Sequence, residues 1–184
     1  MNGGLLAAWR WWDAVYQRCT RLEYVKKGDN LFRVVLLRYH GDPLTTRDGV
    51  RIQPGDWILK LHLHNLRLAE MLRHAAPGTQ LGIPVLREIR RSLPGLARYV
   101  ANHPRRAEIK GLMGTTFLYR GAERLGFDVC DVPPTLYFRY KNYYLKGLLW
   151  LMHPSGAKRL AEKRDFLITR RVYISTAELL RRYL

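Results

Sequence analysis

Lys60, His62 and His64 stand at alternate positions of the run 57–65, and a strand shows alternate residues on one face. Two imidazoles so placed can share a cation if a third ligand arrives from elsewhere in the fold. Nothing in the spacing of His40, His74, His103 or His153 brings that ligand near, and Lys60 on the same face opposes a metal electrostatically. An anion suits the set better. Asn65 is placed to cap a helix, whose first backbone amides would add to the positive field of Lys60 and the two histidines. Lys60, His62, His64 and Asn65 therefore make one candidate corner for anion binding or chemistry. A strand end with a solvated face and an ordinary helix cap explains the same residues without a ligand. No catalytic residue follows from the pattern, and no metal or cofactor is expected.

A second candidate surface is the stretch 137–146, where Arg139, Lys141 and Lys146 are interleaved with Tyr140 and Tyr144. Rings between cations suit single-stranded nucleic acid, sugar rings or a membrane interface. They equally suit a helix that packs Tyr140 and Tyr144 inward and leaves its basic residues in solvent. Other motifs carry less. The segment 111–116 has the glycines of a phosphate loop but lacks the GK[ST] ending and the G-x-G-x-x-G spacing. Ser92, Ser155 and Ser175 have no G-x-S-x-G setting, and capping accounts for Ser175. Cys19 and Cys130 form neither a metal motif nor a disulfide framework.

These candidates sit in a chain of 184 residues that is 47% hydrophobic, with 32 Lys+Arg against 15 Asp+Glu, a formal charge of +17. The apolar fraction excludes a disordered chain, and the charge calls for an anionic partner or surface. The positive excess is strong at the C-terminal end, where 141–184 hold ten Lys/Arg and three Asp/Glu. Leu5, Trp9, Trp12 and Cys19 recur at helical spacing, so an amphipathic helix is expected at about 4–19. Trp9, Trp11 and Trp12 would suit a membrane interface, although a helix packed on the core is the simpler reading. Charges interrupt every apolar run before the roughly 20 residues that a crossing helix needs, so no transmembrane segment is expected.

Strands are expected at 31–39, 57–64, 109–113, 127–130 and 166–174, with a small hairpin around Asp48-Gly49. Helices are expected from Asn65 to His74, at 85–102 with a break or kink at Pro94, at 117–125, and from the Ser175/Glu178 capping box to Leu184. Gly114, Thr115 and Thr116 are expected to form the turn before the third of these helices. Together they predict one mixed α/β (α+β) domain over 1–184, a central sheet of about five strands flanked by helices.

Several segments, in this order, resemble the YkoP-like domain family of bacteria. They are Thr20-Arg21-Leu22-Glu23-Tyr24, Phe32-Arg33-Val34, Gly55-Asp56, Lys60-Leu61-His62-Leu63-His64-Asn65, Leu93-Pro94-Gly95-Leu96-Ala97, 111–116, and Arg124-Leu125-Gly126-Phe127. The resemblance implies a domain of uncharacterised activity, found alone and attached to polysaccharide deacetylase domains, and hence a link to cell-envelope glycan metabolism. It carries over no catalytic residue. With the charge, it leads to a basic accessory or binding domain for an anionic membrane surface or envelope polymer, cytoplasmic and peripheral at the inner face of the membrane. Two alternatives stand beside it: a small enzyme acting on an anionic or glycan substrate at the Lys60/His62/His64 corner, and a nucleic-acid-binding protein. The oligomeric state is left open.

Overall fold

Alternation builds the middle of the fold, seen in a computed structural model that describes residues 22–26, 28–64, 67–68, 82–133, 135 and 169–184. In chain order the elements are β1 (Glu23–Tyr24), β2 (Phe32–Arg38), β3 (Leu44–Thr45), β4 (Arg51–Ile52), β5 (Trp57–Leu63), α1 (Gly82–Ala101), β6 (Ile109–Thr116), β7 (Asp128–Asp131), β8 (Arg170–Ser175) and α2 (Thr176–Tyr183). The expected helix at about 4–19, the cap residue Asn65 and the stretch holding Arg139, Tyr140, Lys141, Tyr144 and Lys146 lie outside the described residues.

Six strands form one mixed sheet in the order β1-β2-β5-β6-β8-β7. Neighbours run antiparallel except β5 and β6, which are parallel and joined by a connection that contains α1. A parallel pair requires such a long crossover, whereas the antiparallel pairs do not. The sequence led to about five strands; the sixth, β1, is a two-residue edge strand too short to show a period.

One sheet face packs against α1 and α2. Phe32, Val34, Leu59, Leu61, Leu112 and Ile174 meet Leu93, Leu96, Ala97 and Val100 of α1 and Leu179 of α2 in a single core. The opposite face carries a smaller cluster of Tyr39, Ile52, Ile58, Met113 and Tyr173. The β3–β4 hairpin pairs Leu44 with Ile52 through the expected turn at Asp48-Gly49, where Gly49 has φ +84°, the left-handed conformation glycine tolerates best.

Three local expectations are corrected. Helix α1 runs unbroken from Gly82 to Ala101 with Pro94 inside it. A mid-helix proline costs about 3 kcal/mol, but Leu93, Leu96 and Val100 are fully buried. Burying each contributes about 1.5–3 kcal/mol, which is enough to offset the proline and keep the helix continuous. Gly114, Thr115 and Thr116 form no turn; they continue β6 and pair with Val172, Arg171 and Arg170 of β8. The helix expected over 117–125 is reduced to one 3-10 turn, Glu123–Leu125. Gly121 at φ +87° interrupts it, and the residues left on either side are too few to repay helix nucleation.

An anchor fixes α1 to the sheet. The Asn30 side chain donates to the Ser92 carbonyl at 2.8 Å and accepts from the Phe32 amide at 2.8 Å, while the Leu31 amide donates to Ser92 Oγ at 3.1 Å. A Cβ on Gly95 would lie 2.7 Å from Asn30 Nδ2, so only glycine lets the loop approach the helix this closely.

Candidate functional site

The candidate corner lies on the sheet face turned away from α1. Leu59, Leu61 and Leu63 belong to the helix-packed core, so the alternation of β5 places Lys60 and His62 on the other side. Both are half-buried. His62 pairs across the strands with Arg33, and Arg33 pairs with Tyr24. His64 follows the end of β5, and its ring meets Tyr24 edge-on with centroids 5.5 Å apart. The backbone amide of Leu68 donates to the His64 carbonyl at 3.0 Å. His62 and His64 thus lie beside Arg33 and Tyr24, with Lys60 one row further along the same face, opposite Val35 and Met113.

The same face supplies cations that the sequence reading missed. Arg33 is 1% exposed, and its guanidinium lies 5.8 Å from the Tyr24 ring centre. Arg171, on β8, is also buried and donates to the Tyr39 hydroxyl at 3.0 Å. A buried arginine is an exception to the burial rule, and Arg33 stands inside the apolar run of β2. That exception was the available signal. The next row of the face runs Val35, Lys60, Met113, Tyr173 and Asp128 by register. Asp128 is held at the far sheet edge by Arg47, which bonds it through Nε at 3.0 Å and the backbone amide at 2.9 Å.

Chemically, this is a polar, cationic face suited to holding negative charge. Among the described residues no three His, Cys, Asp or Glu side chains converge as metal ligands. Cys130 is half-buried, and burial pushes its thiol above the usual range, which disfavours the thiolate.

The exposed face of α1 is cationic as well. Arg87, Arg90, Arg91 and Arg98 are exposed and make no salt bridge among the described residues. Carboxylates, by contrast, are largely engaged. Asp29 pairs with Lys26, Glu88 with Arg67, Glu108 with Arg105, Asp128 with Arg47, Asp131 with Arg170, and Glu178 with Arg181 and Arg182. No helix among the described residues is long and apolar enough to cross a membrane.

The fold and these faces define a basic, mixed α/β domain with exposed arginines on α1 and buried arginines on the opposite side of its sheet. The model of the YkoP domain matches residues 2–183, and the chain belongs to that family. It is 34% identical, over 152 residues, to the uncharacterized protein YkoP of Bacillus subtilis (strain 168), covering 82% of this chain and 83% of that protein. No solved structure matches it.

Proposed function

We propose that this chain is a basic accessory domain that binds an anionic surface or polymer of the bacterial cell envelope, peripherally and at the inner face of the membrane. The observation that carries the reading is the asymmetry of ion pairing. Six of the carboxylates described above are already compensated, whereas the α1 arginines Arg87, Arg90, Arg91 and Arg98 are exposed and make no salt bridge among the described residues. Exposed cations near an anionic surface each contribute about 1 kcal/mol, so a few on one face give measurable attachment. The envelope context is supported by the resemblance to domains joined to polysaccharide deacetylases. Enzymatic action at Lys60, His62 and His64 draws less support, because the groups that register and ring contact place beside the two histidines are Arg33 and Tyr24.

The test is cosedimentation with phosphatidylglycerol vesicles, phosphatidylcholine vesicles and insoluble cell-wall polymer across a salt series. Binding to an anionic target that weakens with salt is the expected result. Failure to bind any anionic target at low salt would overturn the reading, and binding to single-stranded nucleic acid alone would replace it.

A further inference from the structure

A groove of about 890 Å³ runs between α1 and the β1 edge of the sheet, on the face opposite the histidine corner. That volume falls in the range of ligand clefts, roughly 300–1,000 Å³. Arg91, Arg98 and Arg105 line it together with Lys26. Arg91 and Arg98 are seven residues apart on one helix, about 10 Å along its axis, so their guanidinium groups form a row rather than a single cradle. Neither makes a salt bridge among the described residues.

Beneath that row the groove is built for hydroxyl groups. The Tyr99 hydroxyl donates to Glu23 Oε2 at 2.5 Å, which leaves the second carboxylate oxygen of Glu23 able to accept. The Tyr99 ring stands beside the His103 ring, with centroids 5.8 Å apart. His103 Nδ1 accepts from the Arg105 amide at 3.1 Å, so its Nε2 is the nitrogen left to donate. Asn102 adds an amide that can do both. At the end of the groove Arg105 is held rigid: Glu108 bonds it at 2.8 and 2.6 Å, and its guanidinium stacks 3.9 Å from the Trp57 ring centre.

We infer that this groove binds an oligosaccharide whose sugars carry carboxylates, with Arg91 and Arg98 pairing the carboxylates and Glu23, Asn102 and His103 bonding the hydroxyls beside the Tyr99 ring. Guanidinium groups match carboxylates in a bidentate fork. A nucleic acid fits less well. Among the described residues lining the groove, the rings of Tyr99 and His103 are the stacking surfaces, where a single strand uses a succession. A sugar chain offers hydroxyls that can donate to the Glu23 carboxylate as well as carboxylates for the arginines. This inference rests on the proposed binding of an anionic envelope partner and names a site for it.

The test is titration calorimetry with short galacturonic acid oligomers, with uncharged cello-oligomers of the same length as control. The variants are Arg91→Glu with Arg98→Glu, Tyr99→Phe, and, as a charge-matched control outside the groove, Arg87→Glu with Arg124→Glu. Melting curves establish that each variant is folded. The expected result is binding of the acidic oligomer and not the neutral one, weakened roughly tenfold or more by the groove pair and much less by the control pair. Equal losses in both pairs would overturn the groove while leaving a diffuse surface attachment in place. Binding to phosphatidylglycerol vesicles without binding to the oligomer would do the same, whereas binding to neither of these nor to insoluble cell-wall polymer would remove the proposed function itself.

Discussion

Glu178 shows how one carboxylate can be legible in sequence and still take a different job in the fold. Ser175 Oγ accepts from the Glu178 amide at 2.9 Å, the expected half of a capping box. The reciprocal half is absent from its bonding. The Glu178 carboxylate instead takes Arg181 at 2.8 Å through both oxygens and also pairs with Arg182. Hydrogen bonds from Arg181 and then Arg182 lower its pKa from 4.5 to about 2. Because the folded value is depressed, the stabilisation is complete above the unfolded pKa and is lost as pH falls through the folded one. Glu178→Gln should therefore lower the urea midpoint at neutral pH. The gap from the parent should close between pH 4.5 and about 2, as read by urea melts across that range. A gap that persists undiminished at the acid end would exclude this linkage. At the same scale, Asn30→Ala should cost about 1–3 kcal/mol, because it leaves the buried Phe32 amide without its acceptor; equilibrium denaturation measures it.

Among the elements, glycines mark where strands and helices come closest. A Cβ on Gly111 of β6 would sit 2.7 Å from the Ile174 carbonyl oxygen and 2.8 Å from Ile52 Cδ1. The first neighbour is the backbone of β8 and cannot swing aside, so Gly111→Ala should force β6, β8 and the hairpin apart. A loss of about 1–3 kcal/mol is expected, with the largest increase in amide exchange along β8. Gly95→Ala meets the Asn30 side-chain amide instead, a group held by the Ser92 carbonyl. Its cost should shrink in the Asn30→Ala background, since the colliding group is then gone. A double-mutant cycle reads that coupling directly, and additive losses would refute the proposed contact.

For the whole molecule, the quantity that matters is how charge is spread over two faces. The arginines of α1 face solvent, whereas Arg33 and Arg171 are buried on the opposite side of the sheet. Attachment to anionic vesicles should then depend on the first set. Arg87→Glu with Arg90→Glu and Arg91→Glu should weaken cosedimentation at low salt, and parent and variant should converge as salt screens exposed charges beyond roughly 10 Å. Arg33→Met should act mainly on stability, read as a lower melting temperature. Unchanged vesicle binding in the triple variant would move the attachment away from α1.

Composition, alternation and turn chemistry were enough to establish from sequence a mixed α/β fold, the long strands β2 and β5, the Asp48-Gly49 hairpin and the basic character of the chain. Those features follow from short-range periodicity and from charge, which need no partner in space. Lys60 and His62 could be assigned to one face for the same reason. Their neighbours could not. Arg33 comes from β2, Tyr24 from a two-residue edge strand and Arg171 from β8 near the far end of the chain. The groove likewise joins Glu23 to Tyr99 across seventy-six positions. Pro94 was read as a break or kink because its local cost is visible in the sequence, whereas the buried stripe that keeps the helix continuous acts only once α1 lies on the sheet. Long-range pairing places those groups, and its energy is realised only when distant segments meet; that decision belongs to the tertiary structure.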